Sequence, residues 1–379
     1  MIQTGTELGA TFVLGLMLMF LGGCGGSSSS VSSGRTPATV IANIPLGMSP
    51  VPVDVNPSTN RVYVANMNDK PGTVSVIDAV GNTVMATVLV GSSPDAIAVN
   101  SVTNKIYVAN HDDATVSVID GATNQTMSVG VGTYPVAIAV NSVTNSIYVS
   151  NHGDATVSVI DGATNNTVTI PVPPTPSSIA VNSVTNKIYI LNEQNSSVTA
   201  LDGATNHTAV VAVGGIALGI AVDSTRNKIY VSCDTVETSE VDVIDGVTLG
   251  VTAADVNNPA GGPGAIAVNA TTNKIYVSQG NAVAVIDGAT LVVSTLIPQL
   301  ADFIVIDPGI NQIYLLAGTT VTVIDGTTNS PTTLNLSFAG LQAAVNLITH
   351  RVYVTIECTS NVTCRYPTPG TVSVIEAAH

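Results

Sequence analysis

Short apolar runs rich in Val, Ile and Ala alternate with polar turns along most of the chain. Runs of this length, bounded by Asn, Asp, Gly and Thr, predict β-strands. The stretch VNSVTNKIYVANHDDATVSVIDGATN, residues 99–124, returns almost unchanged as residues 140–165. This near-identity over a long stretch predicts a repeated building unit.

Eight tyrosines, each preceded by Ile or Val, mark eight copies of this unit at intervals of 38 to 46 residues. They are Tyr63, Tyr107, Tyr148, Tyr189, Tyr230, Tyr276, Tyr314 and Tyr353. Each copy contains four apolar runs of the types IAVN, KIYVAN, TVSVID and a looser fourth run. Four strands in a period near 40 residues predict a β-propeller blade, with a solenoid as the alternative.

The two ends of the repeat region favour the propeller. The last copy stops after TVSVIEAAH and lacks a fourth run, while TVIANIPLGMSP at 39–50 aligns without gaps to the fourth-run segment at 83–94. A ring needs its last blade completed by its first residues, because an open blade leaves an unpaired strand edge. The sequence therefore predicts an all-β, eight-bladed β-propeller of four-stranded antiparallel blades, closed by an N-terminal strand at residues 38–46.

Two polar turns recur in every well-preserved copy. N-S-V-T-N joins the first two runs and is expected to form a tight hairpin loop. D-G-A-T-N follows the third run, where we expect Gly to adopt a positive φ and Asp to accept hydrogen bonds from backbone N–H groups. Both turns are interpreted as structural.

The N-terminal region has a different composition. GATFVLGLMLMFLGGC, residues 9–24, is an uncharged apolar run with the length of a signal-peptide core, and Leu21-Gly22-Gly23-Cys24 resembles the bacterial lipobox. We therefore expect a lipoprotein-type signal peptide at 1–23, lipidation of Cys24, a Gly/Ser-rich tether at 24–37 and the propeller at 38–379. The first ten residues carry no Lys or Arg, so an uncleaved anchor and an ordinary secretory signal remain alternatives.

Composition narrows the classes of partner. Hydrophobic residues make up 45% of the chain, charged residues 9%, and the good helix formers Leu, Lys and Glu are scarce, so almost no helix is expected. The formal net charge is −15. Because affinity for phosphate backbones rests on Lys and Arg, nucleic acid is not an expected partner.

The units resemble the YVTN family of β-propeller repeats over residues 37–379. The tetrapeptide appears in the segments 63–66, 107–110 and 148–151, each followed by a TVSVID run. The resemblance implies a surface-associated bacterial or archaeal propeller, distantly similar to WD-repeat-like and lactonase propellers, and it implies no single activity. In the later copies the closing Asn is replaced, which indicates either drift or individual function; the replacements are Cys233, Gln279, Ala317 and Ile356.

Candidate chemistry lies in the loops between the second and third strands. These loops contain His111, Asp112, Asp113, His152, Asp154, Glu193, Asp234 and Glu357. His111 with Asp113, and His152 with Asp154, have the spacing of a ligand or metal face, although solvated polar loops are the alternative interpretation. No firm metal site, no cofactor and no catalytic residue is predicted, since the usual enzyme motifs were not found.

The cysteines and the export signal complete the functional hypothesis. Cys358 and Cys364 flank TSNVT, and a disulfide between them is plausible in an oxidising compartment, whereas Cys233 has no evident partner. We expect a monomeric, exported binding or scaffold module of the bacterial cell envelope, held to the membrane only through its lipid. Its partner would be an unidentified protein or envelope ligand. The alternatives are a lactonase-like enzyme and a structural surface-layer component.

Overall fold

The computed structural model describes residues 37–69, 71–235, 239–256, 263–357 and 369–377. They form eight four-stranded antiparallel sheets, which are the blades of a β-propeller. In the described part of the chain the helical structure is one 3-10 turn at Glu193–Asn195, and no helix is long and apolar enough to cross a membrane. The predicted all-β fold and the count of eight blades are confirmed.

The strands follow the repeats. Blade 1 consists of β2 (Pro50–Asn56), β3 (Arg61–Asn66), β4 (Thr73–Asp78) and β5 (Thr83–Leu89), and blade 2 of β6 (Pro94–Asn100), β7 (Lys105–Asn110), β8 (Thr115–Asp120) and β9 (Thr126–Gly130). Blade 3 consists of β10 (Pro135–Asn141), β11 (Ser146–Asn151), β12 (Thr156–Asp161) and β13 (Thr167–Pro171), and blade 4 of β14 (Pro176–Asn182), β15 (Lys187–Asn192), β16 (Ser197–Asp202) and β17 (Thr208–Ala212).

The second half repeats this order. Blade 5 consists of β18 (Ile216–Asp223), β19 (Lys228–Asp234), β20 (Ser239–Asp245) and β21 (Val251–Asp255), and blade 6 of β22 (Pro263–Asn269), β23 (Lys274–Gln279), β24 (Ala282–Asp287) and β25 (Val293–Ile297). Blade 7 consists of β26 (Phe303–Asp307), β27 (Gln312–Ala317), β28 (Thr320–Asp325) and β29 (Pro331–Asn335). Blade 8 combines β30 (Gly340–Asn346), β31 (Arg351–Ile356) and β32 (Pro369–Glu376) with β1 (Thr39–Met48).

Strand β1 closes the ring as the outermost strand of blade 8. It pairs antiparallel with β32, with Thr39 opposite Glu376 and Met48 opposite Pro369. The closing strand thus begins one residue later and ends two residues later than the predicted segment 38–46. Because the first strand hydrogen-bonds to the last, the solenoid alternative is wrong.

The apolar core is divided into eight clusters, one between each pair of neighbouring blades, including blades 8 and 1. The repeated tyrosine of each blade is buried within this core. The side chains of Val, Ile and Ala that point from both faces of a sheet therefore pack against the two neighbouring sheets, which explains the continuous apolar runs. Stability depends on contacts between blades, because no blade buries both of its faces alone.

The two faces of the ring differ in their loops. We call the face that carries the blade-to-blade connections and the loops between second and third strands the connector face. The opposite face, which carries the first and third turns of each blade, is the hairpin face. The chain enters β1 at Thr39 on the hairpin face, since Thr39 lies opposite the end of β32 that pairs with Arg351.

The glycine of the D-G-A-T-N turn does not have the predicted role. Gly121 is absent from the positive-φ residues, whereas Asn124 at the end of the turn has a φ of 59°. Asn tolerates the left-handed region, so it fills that position. Glycine is required at 121 because a Cβ there would lie 2.7 Å from the Asn104 carbonyl oxygen. The predicted role of the aspartate is confirmed: Asp120 Oδ1 accepts hydrogen bonds from Ala122 and Thr123 N–H, both at 2.9 Å.

A ring of asparagine pairs joins the blades on the hairpin face. Asn56 at the end of β2 donates from Nδ2 to Asn104 Oδ1 of blade 2 at 2.8 Å, and equivalent pairs link five further interfaces. We call each pair a clasp. Basic side chains add further links on the same face: Lys105 Nζ donates to the Gly162 carbonyl of blade 3 at 2.6 Å. The hairpin face is therefore occupied largely by contacts that hold the ring together.

Two interfaces have a modified clasp. Asp307 takes the place of Asn in blade 7, and its carboxylate lies 2.8 Å from His350 Nδ1, where the other blades carry a second Asn. Asp223 takes the same place in blade 5, where Arg226 binds it at 2.9 Å and also donates to the Ala270 carbonyl of blade 6 at 2.7 Å. In each case the carboxylate, which cannot donate a hydrogen bond, comes with a side chain that can.

The altered clasp of blade 7 provides a stability prediction. The Asp307 side chain is fully buried, so His350→Ala leaves a buried carboxylate without its ring partner and should lower the free energy of unfolding by about 1–3 kcal/mol. The double change Asp307→Asn with His350→Asn recreates the Asn pair and should return stability to the parent level. Denaturant unfolding measures both. His207→Ala, at an exposed turn, is the matched control, and an equal loss in that variant would contradict the prediction.

Candidate functional site on the connector face

A buried amide network supports the connector face in the first four blades. Asn110, the last residue of β7, donates from Nδ2 to Thr115 Oγ1 at 3.0 Å and to Ser117 Oγ at 2.9 Å. Ser117 Oγ in turn accepts a hydrogen bond from the Gly91 N–H of the connection at 3.3 Å. The Asn that closes the Tyr-Val-Ala-Asn segment thus fixes the edge of the blade.

The predicted His and Asp pairs lie on this face, but their aspartates already hold the connections. Asp113 Oδ2 accepts a hydrogen bond from Ser92 N–H at 2.7 Å. Asp154 accepts one from Thr133 N–H at 3.0 Å and one from Thr156 Oγ1 at 2.6 Å. No group of three or more His, Cys, Asp or Glu that could hold a metal occurs among the described residues. The metal face therefore stays a prediction, and the observed contacts of these aspartates are structural.

The connector face carries a stacked pair of aromatic rings. The rings of His111 and Tyr134 stack with centroids 4.7 Å apart and an interplanar angle of 14°. Tyr134 is 52% exposed although it is a large hydrophobic side chain, and its φ is +51°. The His111 ring is also positioned by Asp112, since its Nδ1 lies 2.8 Å from Asp112 Oδ1. The other Asp112 carboxylate oxygen accepts a hydrogen bond from Ser93 Oγ at 2.5 Å.

A single difference between two repeats accompanies this aromatic pair. Blades 2 and 3 carry NHDD and NHGD at the same loop, so Gly153 stands where Asp112 stands one blade earlier. A Cβ at Gly153 would lie 2.6 Å from Tyr134 Cδ2, a distance that Cβ atoms essentially never show. In blade 2 the residue equivalent to Tyr134 is Ser93. The larger Tyr134 is therefore accommodated by the loss of a side chain at 153.

Asp95 adds a second carboxylate beside the pair. It follows Pro94 at the start of β6 on the connector face, and its carboxylate accepts no hydrogen bond from the described residues. Burial raises the pKa of Asp95 above its usual range, while His111 lowers it and Asp112 raises it further. The charges of His111 and Asp112 thus both act on Asp95. We call Asp95, His111, Asp112 and Tyr134 the blade 2–3 cluster.

The remaining predicted residues are not brought together. Glu357 accepts a hydrogen bond from Ser49 Oγ at 2.5 Å, and Glu193 begins the 3-10 turn. Cys233 is a buried free thiol whose pKa is raised by burial and by the nearby Asp242 carboxylate. Cys24, Cys358 and Cys364 lie outside the described residues, so the lipidation and the disulfide stay predictions.

Sequence reasoning missed two members of the cluster, Tyr134 and Asp95, and one buried carboxyl elsewhere, Asp54. Tyr134 lies in a connection and Asp95 is the second residue of β6, both at positions where the repeats differ. Asp54, which occupies the place of an Ala in the IAVN run, is buried in β2, where it accepts hydrogen bonds from Val55 N–H at 2.7 Å and from Val99 N–H of blade 2 at 2.8 Å. Its signal was visible as VDVN instead of IAVN.

Phe303 of blade 7 lies in β26, the first strand of its blade. Its side chain is buried and lines, with residues of blades 1, 2 and 8, a cavity of about 10 Å³. That volume holds one water molecule at most.

Comparison with known proteins supports the fold. No family model matches the chain, and no curated protein matches it. Among solved structures, Kuenenia stuttgartiensis hydrazine synthase is 17% identical with a TM-score of 0.56, covering 82% of this chain and 99% of that chain. Dihydro-heme d1 dehydrogenase NirN in complex with DHE is 13% identical with a TM-score of 0.62, covering 77% of this chain and 66% of that chain. At these identities the likeness is one of fold alone, and the chain is an eight-bladed β-propeller.

Proposed function

We propose that the protein is a lipid-anchored, extracytoplasmic propeller of the YVTN type that acts as a binding or scaffold module in the bacterial cell envelope. The observation that carries the proposal is the different use of the two faces. On the hairpin face, the clasps and basic side chains such as Lys105 and Arg351 are committed to contacts between blades. On the connector face, half-buried His111 and exposed Tyr134 form an aromatic pair between two blades that are otherwise nearly identical.

The point of attachment supports the same assignment. The predicted tether precedes Thr39, which lies on the hairpin face. A lipid at Cys24 would therefore connect to the ring on the side opposite the blade 2–3 cluster. The connector face is left accessible to a partner.

Saturable binding to isolated cell envelopes tests the proposal. The full chain carrying Cys24→Ala, so that its own lipid does not contribute, should bind saturably, and Tyr134→Ser should weaken this binding at least about fivefold. Val143→Ser, at a 75% exposed valine of the hairpin face, is the control and should bind like the parent. Non-saturable binding, or equal loss in the two variants, would refute the proposed use of the connector face.

A further inference from the structure

We propose that the blade 2–3 cluster is a recognition site for a cationic side chain, specifically the arginine guanidinium of an exposed segment in a partner polypeptide. The inference rests on the proposed function and names the partner chemistry at the same face. It is carried by an exposed aromatic ring, the Asp112 carboxylate in contact with His111 and a steric adjustment that accommodates the ring.

The first step concerns the ring. A cation is attracted to the face of a tyrosine, and the attraction is larger where water is partly excluded. The Tyr134 ring is stacked against His111 at 4.7 Å, which holds its plane in a fixed orientation while half of the side chain stays exposed. A planar guanidinium can lie parallel to such a ring, which a compact ammonium cannot do.

The second step concerns charge. Asp112 contacts the pair through His111, and the charges of His111 and Asp112 act on the Asp95 carboxyl. Asp112 is engaged by His111 and Ser93, so it is fixed in position. Asp95 follows Pro94 on the same face, and we expect its carboxyl to accept a hydrogen bond from a donor such as the guanidinium fork. The net charge of −15 also favours the approach of a cationic partner.

The third step concerns the selection of tyrosine at this place. The equivalent residues of blades 1, 2 and 4 are Ser49, Ser93 and Thr175, which have the same left-handed backbone. A tyrosine with positive φ is uncommon and costs conformational energy. Gly153 removes the side chain that would collide with it. Blade 3 thus has an exposed tyrosine in a strained backbone and a glycine that leaves room for it. We infer that this combination serves binding and not packing.

The experiment uses the full chain and two capped tripeptides, acetyl-Gly-Arg-Gly-amide and its citrulline counterpart, which has the same shape without the charge. Titrations are followed through the ring Cε1–H NMR signals of the five histidines. We expect the arginine peptide to shift the His111 signal with a saturable, salt-sensitive curve, and the citrulline peptide to bind at least about tenfold more weakly.

Variants separate the contributions. Tyr134→Ser should weaken the arginine peptide about five- to thirtyfold, Tyr134→Phe should retain most of the affinity, and Val143→Ser should match the parent. Equal binding of the two peptides, or unchanged affinity in Tyr134→Ser, would overturn the assignment of a guanidinium site. If the arginine peptide does not bind but envelope binding still requires Tyr134, the proposal of a cationic partner is refuted. The proposed function as a binding module is then retained.

Discussion

Deletion of residues 38–46 should lower the free energy of unfolding by several kcal/mol, because it removes the strand that completes blade 8. The deleted backbone pairs with β32, so its loss exposes an unpaired strand edge. It also uncovers the apolar cluster between blades 8 and 1, to which Ile44 and Leu46 contribute. Urea unfolding followed by circular dichroism measures the loss.

A matched pair of point variants keeps this prediction testable if the deletion does not fold. Ile44 is 3% exposed within that cluster, so Ile44→Ala should cost about 2–4 kcal/mol. Ile41 lies in the same strand but is 38% exposed, and Ile41→Ala should cost under about 1 kcal/mol. Equal effects of the two substitutions would show that β1 does not pack against the ring as described.

Replacement of Asp54 should change how stability depends on pH. Burial raises the pKa of Asp54 to about 7 from an ordinary value of 3.8, although the Val55 and Val99 N–H groups oppose the shift. Between these two values the folded state keeps a proton that the unfolded chain has released. The contribution of Asp54 to stability is therefore fully present below about pH 4, falls as the pH rises, and is lost above about pH 7.

The measurement compares Asp54→Ala with the parent from pH 4 to pH 8. Alanine is the residue that most blades carry at this place, so the backbone can adopt the same path. The stability of the parent relative to the variant should fall with a slope of up to about 1.4 kcal/mol per pH unit and level off above pH 7. Parallel stability curves would contradict this prediction.

A second aspartate, Asp161, provides the control that tests whether the pH effect is specific to Asp54. The N–H of Thr164 and further hydrogen bonds in the turn lower the pKa of Asp161, so Asp161 is ionised in both states above its ordinary value. Asp161→Ala should therefore leave the slope between pH 5 and pH 7 unchanged. A change of slope in this range for Asp161→Ala would show that the effect is not specific to Asp54.

The architecture could be predicted from the sequence because it follows from local patterns that occur in eight copies. Each strand is a short Val/Ile-rich run between turn residues, and the repeat count equals the blade count. Ring closure was also readable, since the segment at 39–50 matches a fourth strand that the last copy lacks. These features depend on the order of residues along the chain and need no knowledge of distant contacts.

The tertiary structure alone decided which polar residues act together. The clasp of Asn56 and Asn104 joins residues 48 positions apart, and the sequence of neither turn indicates which residue is the partner. The same is true of Gly121, whose small size serves a contact with Asn104 and not its own φ. For such residues the sequence indicates a turn, while the neighbouring blade determines what the side chain does there.

The blade 2–3 cluster shows both contributions most clearly. The substitution of Asp112 by Gly153 between two nearly identical repeats was present in the sequence, as was Tyr134 nineteen residues before it in the variable connection. Only the folded ring places Tyr134 against His111 of the preceding blade and shows that Gly153 makes room for it. The sequence by itself determined the blades, their number and their closure, because periodic apolar runs specify strands. The packing of one blade on the next decided the site, because the residues of the site come from two blades.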